Sequence, residues 1–209
     1  MKQEELNEII TEHAKWLEGA SGKCADLKRA TLFGADLHGA NLRGANLYNA
    51  NLRKTDLHDA NLHSADLYGA DLYGANLRGA NLRHVDLYSA NLRKADLYGA
   101  SLYKADLRGT NLEGANLVRA DLWGADLPTG MYQVVGAGSC NRCTTYDTIN
   151  DQVVCGCWYD GKGNHLDSFI DRVESIYGPN GEKPDSVYYT EYMAAIDFFK
   201  AMKKLNKRT

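Results

Sequence analysis

The sequence predicts a β-solenoid followed by a small α+β domain, on three observations. Leucine recurs every five residues without a miss from Leu27 to Leu127, which puts 21 leucines in one register. A small residue stands two positions before each, alanine at 18 of the 21 and otherwise Thr55, Val85 or Thr110, with Asp or Asn between them at 19 positions. After Leu127 the register stops at Pro128-Thr129-Gly130 and a different composition begins. The repeating unit is therefore Ala-(Asp/Asn)-Leu-X-X.

A period of five excludes the ordinary elements. On an α-helix five residues advance about 500°, so successive leucines would encircle the axis. On a flat strand an odd repeat throws them onto alternate faces. One buried row requires the backbone to bend once per repeat. Ala and Leu, two apart on a short extended piece, then point inward, and the Asp or Asn between them points out. The second X is glycine in 10 of the 20 complete units, among them Gly34, Gly39 and Gly69, as a turn favours. Each coil buries its leucines against its neighbours, which defines a solenoid.

Before the repeat, residues 3–18 carry Leu6, Ile9, Ile10, His13, Trp16 and Leu17 at the spacing of one helix face, and Gly19 or Gly22 ends that helix. The open end of a solenoid exposes core and unpaired backbone, so residues 1–22 are expected to be a capping helix. Self-association is the other use for such a face.

Units such as Ala-Asp-Leu-Tyr-Gly and Ala-Asn-Leu-Arg-Gly resemble the pentapeptide-repeat proteins. The resemblance implies that residues 23–129 form a right-handed quadrilateral β-helix, with four pentapeptides per coil. That makes about five coils, stacked at about 4.8 Å into a rod of about 25 Å.

With four units per coil, the outward residues sort into four columns. Lys28, Arg29, Tyr48, Tyr68, Tyr88 and Arg108 run beside Asp26, Asp66, Asp86, Asp106 and Asp126. The second column carries Arg53, Lys54, Tyr73, Arg93 and Lys94 against Asp71 and Glu113. The third carries Asp36, Asp56, Asp59 and Asp96 with Arg78, Arg119, His38 and His58. The fourth has Arg43, His63, Arg83, His84, Tyr103, Lys104 and Trp123 with Asp121. Their charges are −2, +2, −2 and +2, so 12 basic and 12 acidic residues leave the repeat neutral.

Residues 130–209 are expected to form the small α+β domain, sealing the far end of the rod. Tyr132–Val135, Cys143–Tyr146 and Gln152–Cys155 read as strands, with a hairpin turn over Asp147–Asp151. Leu166, Phe169, Ile170, Val173, Ile176 and Tyr177 keep helical spacing, which Gly178-Pro179-Asn180-Gly181 ends. A last helix after Pro184 presents Tyr189, Tyr192, Met193, Ile196, Phe199 and Leu205. The Gly-x-Gly-Ser of Gly136 to Ser139, Thr144-Thr145-Tyr146, Val153-Val154-Cys155-Gly156-Cys157 and Tyr192-Met-Ala-Ala-Ile196 resemble a small module of phage and prophage proteins, which implies context and no activity.

Composition narrows the function. A net charge of −3 favours neither a nucleic-acid binder nor an acidic DNA mimic. There is no apolar run long enough to span a membrane, and the acidic N-terminus lacks a signal-peptide core. Five cysteines, an odd number with four clustered, argue against a disulfide framework and for a reducing cytoplasm. Cys140 and Cys143 with Cys155 and Cys157 could offer four thiolates to zinc. Only the second pair belongs to the module's pattern, so no metal or other cofactor is expected. Nothing places Cys157 beside His165 as nucleophile and base, and Gly136 to Gly138 lacks the context of a phosphate loop.

A core of Leu and small residues leaves no pocket for a small substrate, so the expected function is non-enzymatic. A rigid rod would present Arg53, Tyr73 and Arg93, Asp66, Asp86 and Asp106, or Tyr48, Tyr68 and Tyr88 to a protein partner. Two alternatives stand. Some pentapeptide-repeat proteins protect or inhibit DNA gyrase by mimicking duplex DNA, and the resemblance extends that possibility to the acidic column. Nucleic-acid binding by the basic, aromatic columns is the other.

Overall fold

The computed structural model describes residues 1–134, 144–147, 152–155, 165–182 and 186–206. The chain divides into two compact units, Met1–Thr129 and Gly130–Thr209.

The first unit opens with helix α1, Gln3–Leu17. Glu5 reaches back to the backbone N–H of Lys2 (3.2 Å), one half of a capping box. At the other end Gly19 takes φ 75°. The Gly19 N–H donates to the Trp16 carbonyl and the Ala20 N–H to that of Lys15, a Schellman closure. Gly22 plays a different part: a Cβ there would collide with the helix backbone at Glu12 and Trp16, so only glycine lets the chain fold back. Leu6 and His13 are buried and Ile9, Ile10 and Leu17 half-buried, but Trp16 is 43 % exposed. Its ring leans on His13 instead of entering the core, with centroids 5.4 Å apart.

From Ala25 onward the backbone makes isolated parallel bridges, every one joining residues twenty apart, from Asp26 with Asn46 to Asp106 with Asp126. All five N–H groups of a repeat find partners. In the unit Ala70–Gly74, Ala70 donates to the Leu67 carbonyl across the turn (3.0 Å) and Asp71 to Ala50 of the preceding coil (2.9 Å). Leu72 and Gly74 donate to Asn91 and Arg93 of the following coil, at 2.8 and 2.9 Å. The Tyr73 N–H has no backbone partner, and the Asp71 Oδ1 accepts it at 3.2 Å. The same side-chain turn recurs at Asn46, Asp66, Asn81, Asp106 and Asp121. A buried or half-buried N–H must be paired, which is why the second position is so uniformly Asp or Asn.

The fifth position is left-handed in all 20 complete units, including the ten where the residue is not glycine, such as Asn49, Lys54, Ser64 and Lys104. The intercoil bonds at both sides of the turn impose that geometry, and it costs a non-glycine residue about 1–2 kcal/mol. The leucines are buried almost without exception, from Leu27 at 1 % to Leu122 at 1 % exposure. Thr55 and Thr110 keep the alanine position because each hydroxyl donates to a leucine carbonyl, Thr55 to Leu32 (2.7 Å) and Thr110 to Leu87 (2.8 Å).

The first coil has no predecessor to pair with, and α1 together with Met1 supplies some of the partners. The Asp36 N–H donates to the Gln3 amide oxygen, whose nitrogen returns a bond to the Asp36 carbonyl at 2.9 Å. The Ala25 N–H donates to His13 Nδ1 (3.1 Å), and the terminal amine of Met1 to the Thr31 carbonyl (3.1 Å).

In the second unit, β1 (Met131–Val134), β2 (Thr144–Asp147) and β3 (Gln152–Cys155) form an antiparallel sheet in the order β1-β2-β3. The described strands take in Met131 and Asp147, one residue beyond each sequence expectation, and pair Met131 with Asp147 and Thr144 with Cys155, while the expected Val135 and Cys143 lie outside the described residues. Asp147 therefore belongs to β2, opposite Gln152, and residues 148–151 of the expected turn lie outside the described residues. Helices α2 (Leu166–Tyr177) and α3 (Ser186–Asn206) complete the unit. Tyr146 and Val153 from the sheet, Leu166, Phe169 and Val173 from α2, and Tyr192, Ala195, Ile196 and Phe199 from α3 make its core. Leu205, expected on the buried face, is 52 % exposed because it lies beyond that core on the last turn of α3. Among the described residues no helix is long and apolar enough to cross a membrane.

Candidate interaction surface

The twenty-residue step makes columns of the outward side chains. Tyr48, Tyr68 and Tyr88 stack in one pile, with ring centroids 5.3 and 5.4 Å apart and planes within 7° and 13° of parallel. Cations close both ends: the Lys28 ammonium lies 5.0 Å from the Tyr48 centroid and the Arg108 guanidinium 5.7 Å from that of Tyr88. Offset stacking and cation–π contact each stabilise by about 0.5–1.5 kcal/mol at such sites, enough to hold a flat aromatic strip in place.

Beside the strip, Asp66, Asp86 and Asp106 occupy successive bridges. They are anchored, since Oδ1 of Asp66 and Asp86 accepts the N–H of Tyr68 and Tyr88 at 3.0 and 2.9 Å. Asp106 is held by Arg108 Nη2 at 2.6 Å and Nε at 2.9 Å. Those side-chain hydrogen bonds, more than the Arg108 backbone N–H or its charge, pull the Asp106 carboxyl below the usual range, and Arg108 is raised in return.

On the second column Tyr73 lies between two cations, Arg53 at 4.5 Å and Lys94 at 5.8 Å from its centroid. Arg53 also pairs with Asp71 (3.2 Å) and Arg93 with Glu113 (3.1 Å). The basic column thus carries its own counter-ions, and its arginines are oriented by them. Exposed pairs of this kind add little stability; their effect is to fix geometry. The third column repeats the pattern, with Tyr98 between Arg78 (4.4 Å) and Arg119 (5.7 Å). In the fourth, His63, His84, Tyr103 and Trp123 follow one another edge to face or tilted, with centroids 5.5 to 6.2 Å apart.

Amide–carboxylate ladders join the columns internally, as in Asn76 Nδ2 to Asp56 (2.9 Å), Asn91 to Asp71 (2.9 Å) and Asn116 to Asp96 (2.8 Å). Sequence reasoning placed these residues outward but missed their double duty. The signal was available in the near-invariance of Asp or Asn against freely varying neighbours.

Of the cysteines considered for zinc, Cys140, Cys143 and Cys157 lie outside the described residues, as does the Gly136–Gly138 segment. Cys155 contributes its backbone to β3. Cys24 is exposed, and its thiol is pushed up first by partial burial and then by Asp26.

A family model described as pentapeptide repeats matches in eight copies, over residues 25–63, 40–79, 65–103 and 95–128. Among solved structures the chain is similar to HetL of Nostoc sp. strain PCC 7120, a pentapeptide repeat protein involved in heterocyst differentiation regulation. The identity is 34 %, over 53 % of this chain and 62 % of that one, with a TM-score of 0.44. It is similar to Rfr23 from Cyanothece 51142 at 40 % identity, over 46 % and 61 % of the two chains and a TM-score of 0.39. A pentapeptide repeat protein of the Arabidopsis thaliana thylakoid lumen gives 32 %, 51 % and 69 %, and 0.35. The chain therefore spans about three fifths of the length of the two cyanobacterial proteins. No curated protein matches it significantly.

Proposed function

The chain belongs to the pentapeptide-repeat family through residues 25–128, and from that membership we propose that it is a non-enzymatic scaffold whose repeat presents a rigid surface to a protein partner. The observation that carries this reading is the pre-set state of the outward side chains. Tyr68 and Tyr88 are exposed yet stacked, and Tyr73 is clamped between Arg53 and Lys94. Tyr and Arg are the residues on which protein interfaces concentrate their energy. Side chains already ordered lose less entropy on binding.

The finer architecture belongs to the same reading. Bridges twenty residues apart support four pentapeptides per coil and about five coils, and family membership is what implies the right hand. The bonds from Gln3, His13 and Met1 to the first coil support α1 as its cap. The odd cysteine count supports a reducing, cytoplasmic setting. The short motifs of residues 130–209 support kinship with the phage module.

A second reading, mimicry of duplex DNA towards gyrase, is favoured by the succession of Asp66, Asp86 and Asp106. Against it, Arg108 neutralises the last of them, and neighbouring columns of opposite sign cancel beyond a Debye length of about 8 Å.

The test is affinity capture with the wild-type chain and an Arg53→Ala, Tyr73→Ala, Arg93→Ala variant side by side, with gyrase supercoiling assayed in parallel. A protein held by the first and lost from the second supports the scaffold. Gyrase inhibition abolished by Asp66→Asn, Asp86→Asn and Asp106→Asn replaces it with mimicry. Asn preserves the side-chain turn, as Asn46 and Asn81 do, so that variant removes charge and leaves the coil intact.

A further inference from the structure

Two imidazoles and a carboxylate converge on the third column, and neither the fold nor the proposed interaction surface uses them. His38 and His58 are twenty residues apart, so the coil register stacks their rings at 5.0 Å with 27° between planes. Asp59 follows in the left-handed turn position, φ 56°, and its Oδ2 lies 3.2 Å from His58 Nε2. One ligand atom from each of the three falls within 4.8 Å of the other two. We propose that His38, His58 and Asp59 bind a divalent transition-metal ion of the zinc class, with solvent completing its shell.

The donor set selects the ion. Two imidazoles and one carboxylate suit zinc, nickel or cobalt, whereas calcium and magnesium require oxygen donors in greater number. The backbone beneath is firm: Asp36 and Asp56 each accept the N–H of the histidine two residues on, at 3.1 Å. Above it the side chains have room to close. His38 and Asp59 are exposed, so rotations can bring all three donors to the bond lengths of about 2.0–2.2 Å that zinc requires.

Glycine at 79 leaves the carboxylate its place, since a Cβ there would strike Asp59 Oδ1. Charge favours a cation here. Asp36 and Asp56 lie beside the two histidines on the same column, and the column's next cation is turned away. Arg78 is bound to Asp96 (3.1 Å) and lies over Tyr98.

The other histidine pair makes a useful contrast. His63 and His84 are 5.5 Å apart but tilted by 52°, and His63 Nδ1 already meets the Ser64 hydroxyl at 2.9 Å. They form no comparable cluster with a carboxylate among the described residues.

The experiment uses the full chain, stripped with chelator and without a histidine tag, titrated with Co²⁺ and followed by absorption. The expected result is a visible band saturating at about one equivalent, without the near-ultraviolet thiolate charge-transfer band that cysteine ligands would add. His38→Asn, His58→Asn and Asp59→Asn should each weaken binding at least about tenfold, a loss of the size that even outer-shell changes cause. A His63→Asn, His84→Asn variant should bind as the wild type does. Unaltered thermal melts of the exposed-residue variants show that folding is intact. No binding, binding accompanied only by the thiolate band, or binding indifferent to His38→Asn and His58→Asn overturns the assignment.

Discussion

Leu77→Ala tests the division between inside and outside most directly. Leu77 is 1 % exposed, and Leu57 and Leu97 above and below it are equally buried. Removing three carbons forfeits about 2–2.5 kcal/mol of transfer free energy at about 0.8 kcal/mol per carbon. The cavity adds to that, because the walls cannot follow. The backbone around the site is tied on both sides, by Asn76 to Thr55 (3.0 Å), Leu77 to Asp96 (2.7 Å) and Gly79 to Tyr98 (2.9 Å). The total should lie at about 3–5 kcal/mol, the upper part of the range for such truncations. In a solenoid that loss weakens the interfaces with both neighbouring coils. Arg78→Ala is the control. Its side chain is 45 % exposed and loses one ion pair with Asp96 and one contact with Tyr98, together about 1 kcal/mol. Urea denaturation followed by far-ultraviolet circular dichroism measures both. Equal losses would refute the assignment of leucine to the core and X to the surface.

Three further outcomes are expected. Gly34→Ala, at φ 64° with open space around its Cβ, should cost about 1–2 kcal/mol from backbone conformation alone, measured by the same unfolding curves. Burial holds His13 below the usual histidine range, although the Arg43 carbonyl opposes the shift. The unfolded chain therefore takes up a proton first as pH falls below about 6.5, and stability should decline there. In His13→Gln, stability measured between about pH 7.5 and 5 should show a shallower decline. The lowered Asp106 pKa makes a stabilising contribution present above the ordinary carboxylate range and lost as pH falls through the lowered value. In Arg108→Ala the Asp106 titration followed by NMR should move up towards about 3.9.

The strict spacing of Leu27 to Leu127 was enough by itself to determine a solenoid, because only a backbone bending once per repeat buries that row. The amphipathic spacing of Leu6 to Leu17 determined α1 in the same way. Apolar pattern in α2 and α3 located two more helices and most of the second core. What tertiary structure decided were the contacts between residues twenty apart. The use of Asp and Asn as acceptors for an otherwise orphaned N–H, the clamping of Tyr73 by Arg53 and Lys94, and the meeting of His38 with His58 and Asp59 are all of this kind. Trp16 is a smaller case: helical spacing put it on the apolar face, yet it is exposed and stacks on His13, while Leu6 and His13 take the buried places. Local pattern fixes which way a side chain points. Which neighbour it meets depends on how coils stack, and stacking is set by hydrogen bonds between coils that no single stretch of sequence contains.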